Sequence, residues 1–199
     1  MRSVMALLLL AGALSACDRQ SQSPSQANAT QGTVTTADEV PSDGTAEDAS
    51  SFRYQLDRAK AGTPAPDISF AAPDGTKKTL RDFAGKPVLL NLWATWCTPC
   101  VAEMPTLDAL VDTHRAQGLH VVTVSQDNRA ELVKPFFDKR NFRNLQPWTD
   151  PENNLGFHYA TGMLPTSILY DAKGKEIVRV IGAMDWNGEE ARKLIAEAF

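Results

Sequence analysis

The feature that most restricts how this chain can fold is the run Val88-Leu89-Leu90-Asn91-Leu92-Trp93, which gives way within four residues to Cys97-Thr98-Pro99-Cys100. A strand of almost unbroken hydrophobicity is one covered on both faces, so the fold must place layers above and below it. The spacing of the two cysteines carries the chemistry. Thiols three positions apart at a helix start can close a small ring, and the first faces N–H groups that the helix leaves unpaired, at the positive end of its dipole. That setting favours a thiolate, so Cys97 is expected to be the nucleophile. Cys100, one turn inside, is expected to be more buried and to resolve the mixed disulfide. Two other readings compete. A structural zinc site would need two further ligands, and beyond this pair the chain offers only Cys17, His114, His120 and His158, so no metal site is expected. A purely structural disulfide is disfavoured, because tight rings of this kind at helix starts are the reactive type.

Around this centre, hydrophobic spacing predicts alternating strands and helices. Asp67-Ile68-Ser69-Phe70 reads as a short strand, and Pro73-Asp74-Gly75 as the turn to a second strand ending near Leu80. A long helix is expected from about Cys97 to Gln117, interrupted and kinked at Pro105 and ended by Gly118. A buried strand then runs from Leu119 to Val124, and Leu132, Val133, Phe136 and Phe137 share one face of a helix ending near Arg140. A short strand near 146–148 and a helix over 152–159 follow, then a hairpin of Thr166–Tyr170 with Glu176–Ile181. The last helix would bury Ala191, Leu194, Ile195 and Ala198. Strand–helix–strand followed by a hairpin and a helix is an α/β sandwich.

At the other end, Met1-Arg2-Ser3 precedes an apolar run from Val4 to Ala16. That run is too short to span a bilayer, which takes about 20 residues, and reads as a secretory signal over 1–16. Its exit, Leu14-Ser15-Ala16-Cys17, resembles the bacterial lipobox, in which the cysteine is acylated and becomes the first residue of the mature protein. Ordinary cleavage after Ala13 is the alternative, since Ala11-Gly12-Ala13 also has small residues at the right spacing. Asp18 follows Cys17; in Gram-negative lipoproteins that residue commonly retains the protein at the inner membrane. The resemblance therefore implies a lipid anchor at Cys17, on the periplasmic side of that membrane. Residues 18–51 hold six acids against one base, no aromatic, and only Val34 and Val40 as larger apolar groups. Such a segment cannot offset its ordering entropy and is expected to be a tether. Phe52 to Lys60 has weak helical spacing, and Gly62-Thr63-Pro64-Ala65-Pro66 marks a boundary. The expected organisation is thus a signal over 1–16, an acylated cysteine and acidic tether over 17–62, and one folded domain over 63–199. From Phe52 onward acids and bases balance at 18 each, so no nucleic-acid partner is expected.

Asn91-Leu92-Trp93-Ala94-Thr95-Trp96-Cys97-Thr98-Pro99-Cys100-Val101-Ala102-Glu103-Met104-Pro105 resembles the TlpA/ResA-like branch of the thioredoxin superfamily, whose motif is W-C-x-x-C-x-x-E-x-P. The likeness extends over roughly 63–199 and takes in Asp74-Gly75, Leu80-Arg81-Asp82-Phe83-Ala84-Gly85-Lys86 and Leu164-Pro165-Thr166. It implies a thioredoxin-like sandwich: a central mixed sheet flanked by helices, with an N-terminal β-hairpin and a central αβ insertion. It also implies a functional glutamate at Glu103, a cis-proline at Pro165 beside the disulfide, and a Leu164 backbone free to pair with an extended substrate segment. Trp96 would belong to the docking surface and Trp93 to the core. The residues themselves agree on Glu103. It lies on the edge of the helix face made by Cys100, Met104, Leu107 and Val111, where partial desolvation would raise its pKa and suit it to exchange a proton with Cys100. Thioredoxins place a buried aspartate six residues before the first cysteine; here Asn91 stands there. An amide cannot shuttle a proton, which leaves Glu103 as the carrier.

The expected function is a membrane-anchored periplasmic thiol–disulfide oxidoreductase that reduces disulfides of exported proteins, of the cytochrome c maturation or copper-oxidase assembly type. The resemblance implies a transmembrane thiol carrier as electron donor. Cofactor motifs are absent, so the two thiols are expected to suffice without a cofactor. Two alternatives stay open at this level: a dithiol oxidase or isomerase running the same chemistry in reverse, and a metallochaperone using the cysteines as soft ligands.

Overall fold

In the computed structural model, residues 52–199 are described, and the apolar run Val88–Trp93 is the strand around which the rest is arranged. The elements in chain order are β1 (Tyr54–Asp57), β2 (Phe70–Ala71), β3 (Lys77–Lys78), β4 (Val88–Trp93), α1 (Thr98–His114), β5 (His120–Ser125), α2 (Val133–Arg140), β6 (Trp148–Thr149), α3 (Asn154–Tyr159), β7 (Thr166–Tyr170), β8 (Glu176–Gly182) and α4 (Glu189–Ala196). They form a single mixed sheet ordered β1-β8-β7-β4-β5-β6-β2-β3. β4 pairs parallel with β5 and antiparallel with β7, and every one of its six residues is buried.

Alternation along the strands divides the core in two. Leu89, Trp93, Leu169 and Val180 face one way, against Met104, Leu107 and Leu110 of α1, Phe137 of α2 and Leu194 of α4. Val88, Leu90, Leu92, Val124 and Ile168 face the other way, against Phe70, Leu80 and Leu155 and Tyr159 of α3. The expected N-terminal hairpin is the β2–β3 pair, and α2 with β6 forms the αβ insertion between β5 and α3. The terminal hairpin and last helix lie where the spacing placed them, and Ala191, Leu194, Ile195 and Ala198 are buried.

Four expectations need correction. Residues 54–57 are not helical. They form β1, which pairs antiparallel with β8 in the register Tyr54↔Gly182 to Asp57↔Arg179, so the sheet begins inside the segment assigned to the tether over 17–62. The pairing needs Gly182, whose φ is +101° and where a Cβ would strike the Arg53 carbonyl. The first hairpin strand is Phe70–Ala71 rather than 67–70. α1 ends at His114, and Arg115–Gln117 continues it as a 3-10 turn closed by Gly118 at φ +82°. Finally, α1 is a single element through Pro105, not a helix interrupted there. The signal segment, Cys17 and the tether over 18–51 lie outside the described residues.

Candidate active site

The site lies where β4 ends and α1 begins. Cys97 is the N-cap of α1, and its sulfur accepts a hydrogen bond from the Cys100 N–H at 3.3 Å. Thr98 and Pro99 open the helix, and proline costs nothing there because its missing N–H would have been unpaired anyway. Cys97 and Cys100 are joined as a disulfide with Cα atoms 5.3 Å apart. Cys97 is 5% exposed and Cys100 0%, so an incoming thiolate reaches Cys97 and not Cys100. The turn is held from β5: Asp127, itself buried, accepts the Thr95 N–H at 2.9 Å, the Thr95 hydroxyl at 2.8 Å and the Ser125 hydroxyl at 2.7 Å. Sequence reading missed Asp127, since nothing in its neighbourhood marks it as a partner of Thr95, 32 residues away.

Glu103 lies one turn below Cys100 and is completely buried, deeper than the half-desolvated edge its helical position predicts. The reason is long-range. Trp186 and Met184, from the β8–α4 connection, close over it, and both donate to Oε2, the Met184 N–H at 3.0 Å and the Trp186 indole at 3.4 Å. Oε1 accepts from Asn91 Nδ2 at 2.7 Å. Burial lifts this carboxyl to about 7, against hydrogen bonds from Met184, Asn91 and Trp186 that pull it down. A group that titrates near neutrality is fit to pass a proton to and from a thiol at working pH. Trp93 is fully buried, as expected of a core residue.

On the solvent side, Cys97 opens onto a cleft of about 790 Å³ between α1, α3 and the loop before β7. The peptide bond Leu164–Pro165 is cis, and the Pro165 carbonyl accepts from the Gly182 N–H. Leu164 lines the cleft, and neither its N–H nor its carbonyl has a backbone partner among the described residues. Trp96, 71% exposed, stands on one rim; Phe157, 74% exposed, and Met163 stand on the other. None of the residues lining the cleft is charged. Phe157 escaped the sequence reading because an aromatic on a short amphipathic helix reads as core; α3 instead buries Leu155 and Tyr159 and turns Phe157 outward. The histidines take part in packing: His114 stacks on Phe199, His120 tilts against Phe83, and His158 meets the edge of Tyr159. No group of three or more metal-ligating side chains occurs among the described residues.

Comparison with known proteins agrees with this geometry. Residues 60–195 match the Redoxin family. The chain is 32% identical over 131 residues to a thiol-disulfide oxidoreductase ResA of Bacillus cereus, covering 66% of this chain and 75% of that one. Among solved structures, a thiol:disulfide interchange protein DsbE from Chlorobium tepidum aligns with TM-score 0.63 and 27% identity, over 69% of this chain and 96% of that one. The pneumococcal exposed lipoprotein thioredoxin of Streptococcus pneumoniae aligns with TM-score 0.57 and 27% identity, over 65% and 98%. With a buried strand feeding a helix that starts on a cysteine pair, and a buried glutamate one turn on, the chain belongs to the Redoxin family and is a thiol–disulfide oxidoreductase of the ResA type.

Proposed function

We propose that the protein works outside the cytoplasm, anchored by lipid at Cys17, and reduces disulfides of exported proteins such as those handled in cytochrome c maturation or copper-oxidase assembly. In the forward direction the Cys97 thiolate attacks one sulfur of the substrate disulfide, and the other leaves as a thiolate. Cys100 then gives its proton to the Glu103 carboxylate and attacks the Cys97 sulfur, which restores the Cys97–Cys100 disulfide and releases the reduced substrate. To reset the pair, a donor thiolate attacks Cys97, and Glu103 returns the proton to the departing Cys100. A transmembrane thiol carrier is the proposed donor. Anchoring both partners to one membrane would raise their effective concentration.

The observation that carries this reading is the pairing of a reachable Cys97 with a buried, neutrally titrating Glu103 behind Cys100. The uncharged cleft supports a polypeptide substrate lying extended along Leu164. Leu14-Ser15-Ala16-Cys17 and the likeness to a pneumococcal lipoprotein support the anchor. The deciding experiment is the equilibrium reduction potential of the Cys97–Cys100 pair in the full chain. A value of about −250 mV or lower fits a reductant supplied from the membrane, whereas one near −120 mV belongs to an oxidase and overturns the proposal. Labelling with radioactive palmitate, lost in Cys17→Ser, tests the anchor separately.

A further inference from the structure

Three buried side-chain polar atoms among the described residues have no hydrogen-bond partner, and one of them, Asn91 Oδ1, belongs to the group that touches Glu103. Asn91 sits on β4 with its Nδ2 divided between two acceptors, Glu103 Oε1 at 2.7 Å and Ser167 Oγ at 2.9 Å. Both ends of the amide are deep in the core, since Asn91 and Ser167 are at most 1% exposed. An orphaned acceptor in such a place costs free energy that a single fixed arrangement would not spend without reason.

The reason emerges from what Glu103 needs in each of its two states. As a carboxylate it needs only donors, and it has three: the Met184 N–H, the Trp186 indole N–H and Asn91 Nδ2. As a neutral acid it must also donate. The proton cannot reside on Oε2, whose two neighbours are a backbone N–H and an indole N–H, groups that only donate. It must reside on Oε1, where it would meet the N–H of Asn91 head on. Among the partners of Glu103 only the Asn91 amide can exchange a donor for an acceptor, by turning half a revolution about its last bond. Ser167 permits the turn, because a hydroxyl accepts in one arrangement and donates in the other.

We infer that Asn91 is a positioning residue whose amide reverses with the protonation of Glu103, donating through Nδ2 to the carboxylate and to Ser167, and accepting through Oδ1 from the neutral acid and from the Ser167 hydroxyl. Each arrangement leaves one end of the amide unpartnered, and each offers Glu103 a partner at Oε1 in the protonation state it serves. The inference rests on Glu103 as the proton carrier. No charged side chain enters the balance: Glu103 meets Asn91 from β4, Ser167 through Asn91 from β7, Met184 and Trp186 from the β8–α4 connection, and Cys100, as a disulfide, on α1. Asp185 on that connection is tied to the Asn187 N–H.

The test is nuclear magnetic resonance of the oxidised full chain, with carboxyl-labelled glutamate reporting Glu103 and the Asn91 side-chain amide followed in the same titration. Glu103→Gln assigns the carboxyl signal. In the wild type, the contact between the Asn91 Nδ2 protons and the Ser167 methylene is expected above the Glu103 midpoint and lost below it. A contact that persists unchanged through the titration overturns the inference. Variants give a second reading. Trp186→Phe removes a donor to Oε2 that binds the carboxylate more strongly than the carbonyl oxygen of the neutral acid, so the Glu103 midpoint should rise, by about half a unit to one unit for this long bond. Asn91→Leu removes the shorter bond, yet should move the midpoint less than Trp186→Phe, because both protonation states lose a partner. A rise of about one unit or more in Asn91→Leu would show Asn91 to be a fixed donor and overturn the inference. If Asn91→Leu fails to fold, the wild-type contact decides. Absence of any Glu103 titration between pH 5 and 9 would instead remove the proton carrier on which the inference rests.

Discussion

Two buried carboxylates, Glu103 and Glu176, show how one fold holds the same side chain with and without a countercharge. Glu103 has three neutral donors and no cation, and burial pushes its carboxyl up to about 7. Glu176 has a cation. Arg179 approaches it with two nitrogens at 2.7 and 3.1 Å, with side chains only 2% and 11% exposed, and the carboxylate raises the pKa of the guanidinium. Arg179 also lies over the Tyr159 ring at 5.1 Å, and the Tyr159 and Tyr170 hydroxyls meet at 2.6 Å. Burial holds both phenols well above the usual tyrosine range, so they stay neutral. The compensated carboxylate holds Arg179, which in turn joins β8 to Tyr159 of α3; the uncompensated one is left poised to change its charge. What decides between these roles is the countercharge, since both groups are equally withdrawn from water.

The largest effect expected from this contrast is on stability. Arg179→Met strips Glu176 of its partner and leaves an unpaired buried charge, a change worth about 3–5 kcal/mol. Urea unfolding at neutral pH should show that loss, while the reduction potential of the Cys97–Cys100 pair stays at its wild-type value. A loss below about 1 kcal/mol would mean that the Glu176 pair is solvated in solution and that the comparison with Glu103 fails.

The next effect is a pH dependence of opposite origin. Folding raises the Glu103 carboxyl to about 7 from an ordinary 4.5, so between those values the native state holds a proton that the unfolded chain has released. Stability therefore falls as pH rises through this window and levels off above it. At 1.36 kcal/mol per unit the decline is about 3 kcal/mol. Glu103→Gln, which cannot ionise, should lose this decline, gaining on the wild type between pH 4.5 and 8 while its exchange with disulfides slows at the resolving step. A constant stability difference between variant and wild type across that range would place Glu103 with the structural carboxylates.

How much of this was legible in the sequence follows from the range of the contacts. The Val88–Trp93 strand, the cysteine pair and the helical offset of Glu103 are local patterns, and reading them led to the right fold and to the Cys97–Cys100 pair, with Glu103 on the helix one turn beyond Cys100. What decides that Glu103 is fully enclosed is Trp186, 83 residues further on, and no local period announces that meeting. β1 was misread for a related reason. Tyr54-Gln55-Leu56-Asp57 has no strong alternation, and it becomes a strand only because β8 offers it an edge more than 100 residues away, with Gly182 allowing the close approach. Asn91 was read as a residue that cannot carry a proton, which holds; that it touches Ser167 and Glu103 together required the register of β4 against β7, with Asn91 opposite Ser167.

Phe157 and Tyr159 sharpen the comparison from within one short helix. α3 buries Tyr159 against Arg179 and presents Phe157 to the cleft beside Cys97. If the Glu176–Arg179–Tyr159 cluster is structural and the cleft is where substrate lies, truncation on the two sides of α3 must separate stability from turnover. Phe157→Ala removes an exposed ring, so it should alter stability by no more than about 0.5 kcal/mol. It should still slow reduction of a disulfide-bonded protein by about fivefold to thirtyfold, the scale of about 1–2 kcal/mol for an aromatic contact at an interface. A small aromatic disulfide, which needs only the Cys97 sulfur, should react at the wild-type rate. Stopped-flow measurement of both reactions provides the check. Equal slowing with both substrates would mean that Phe157 shapes the Cys97–Cys100 pair itself, and no slowing with either would place the substrate along the Trp96 rim alone.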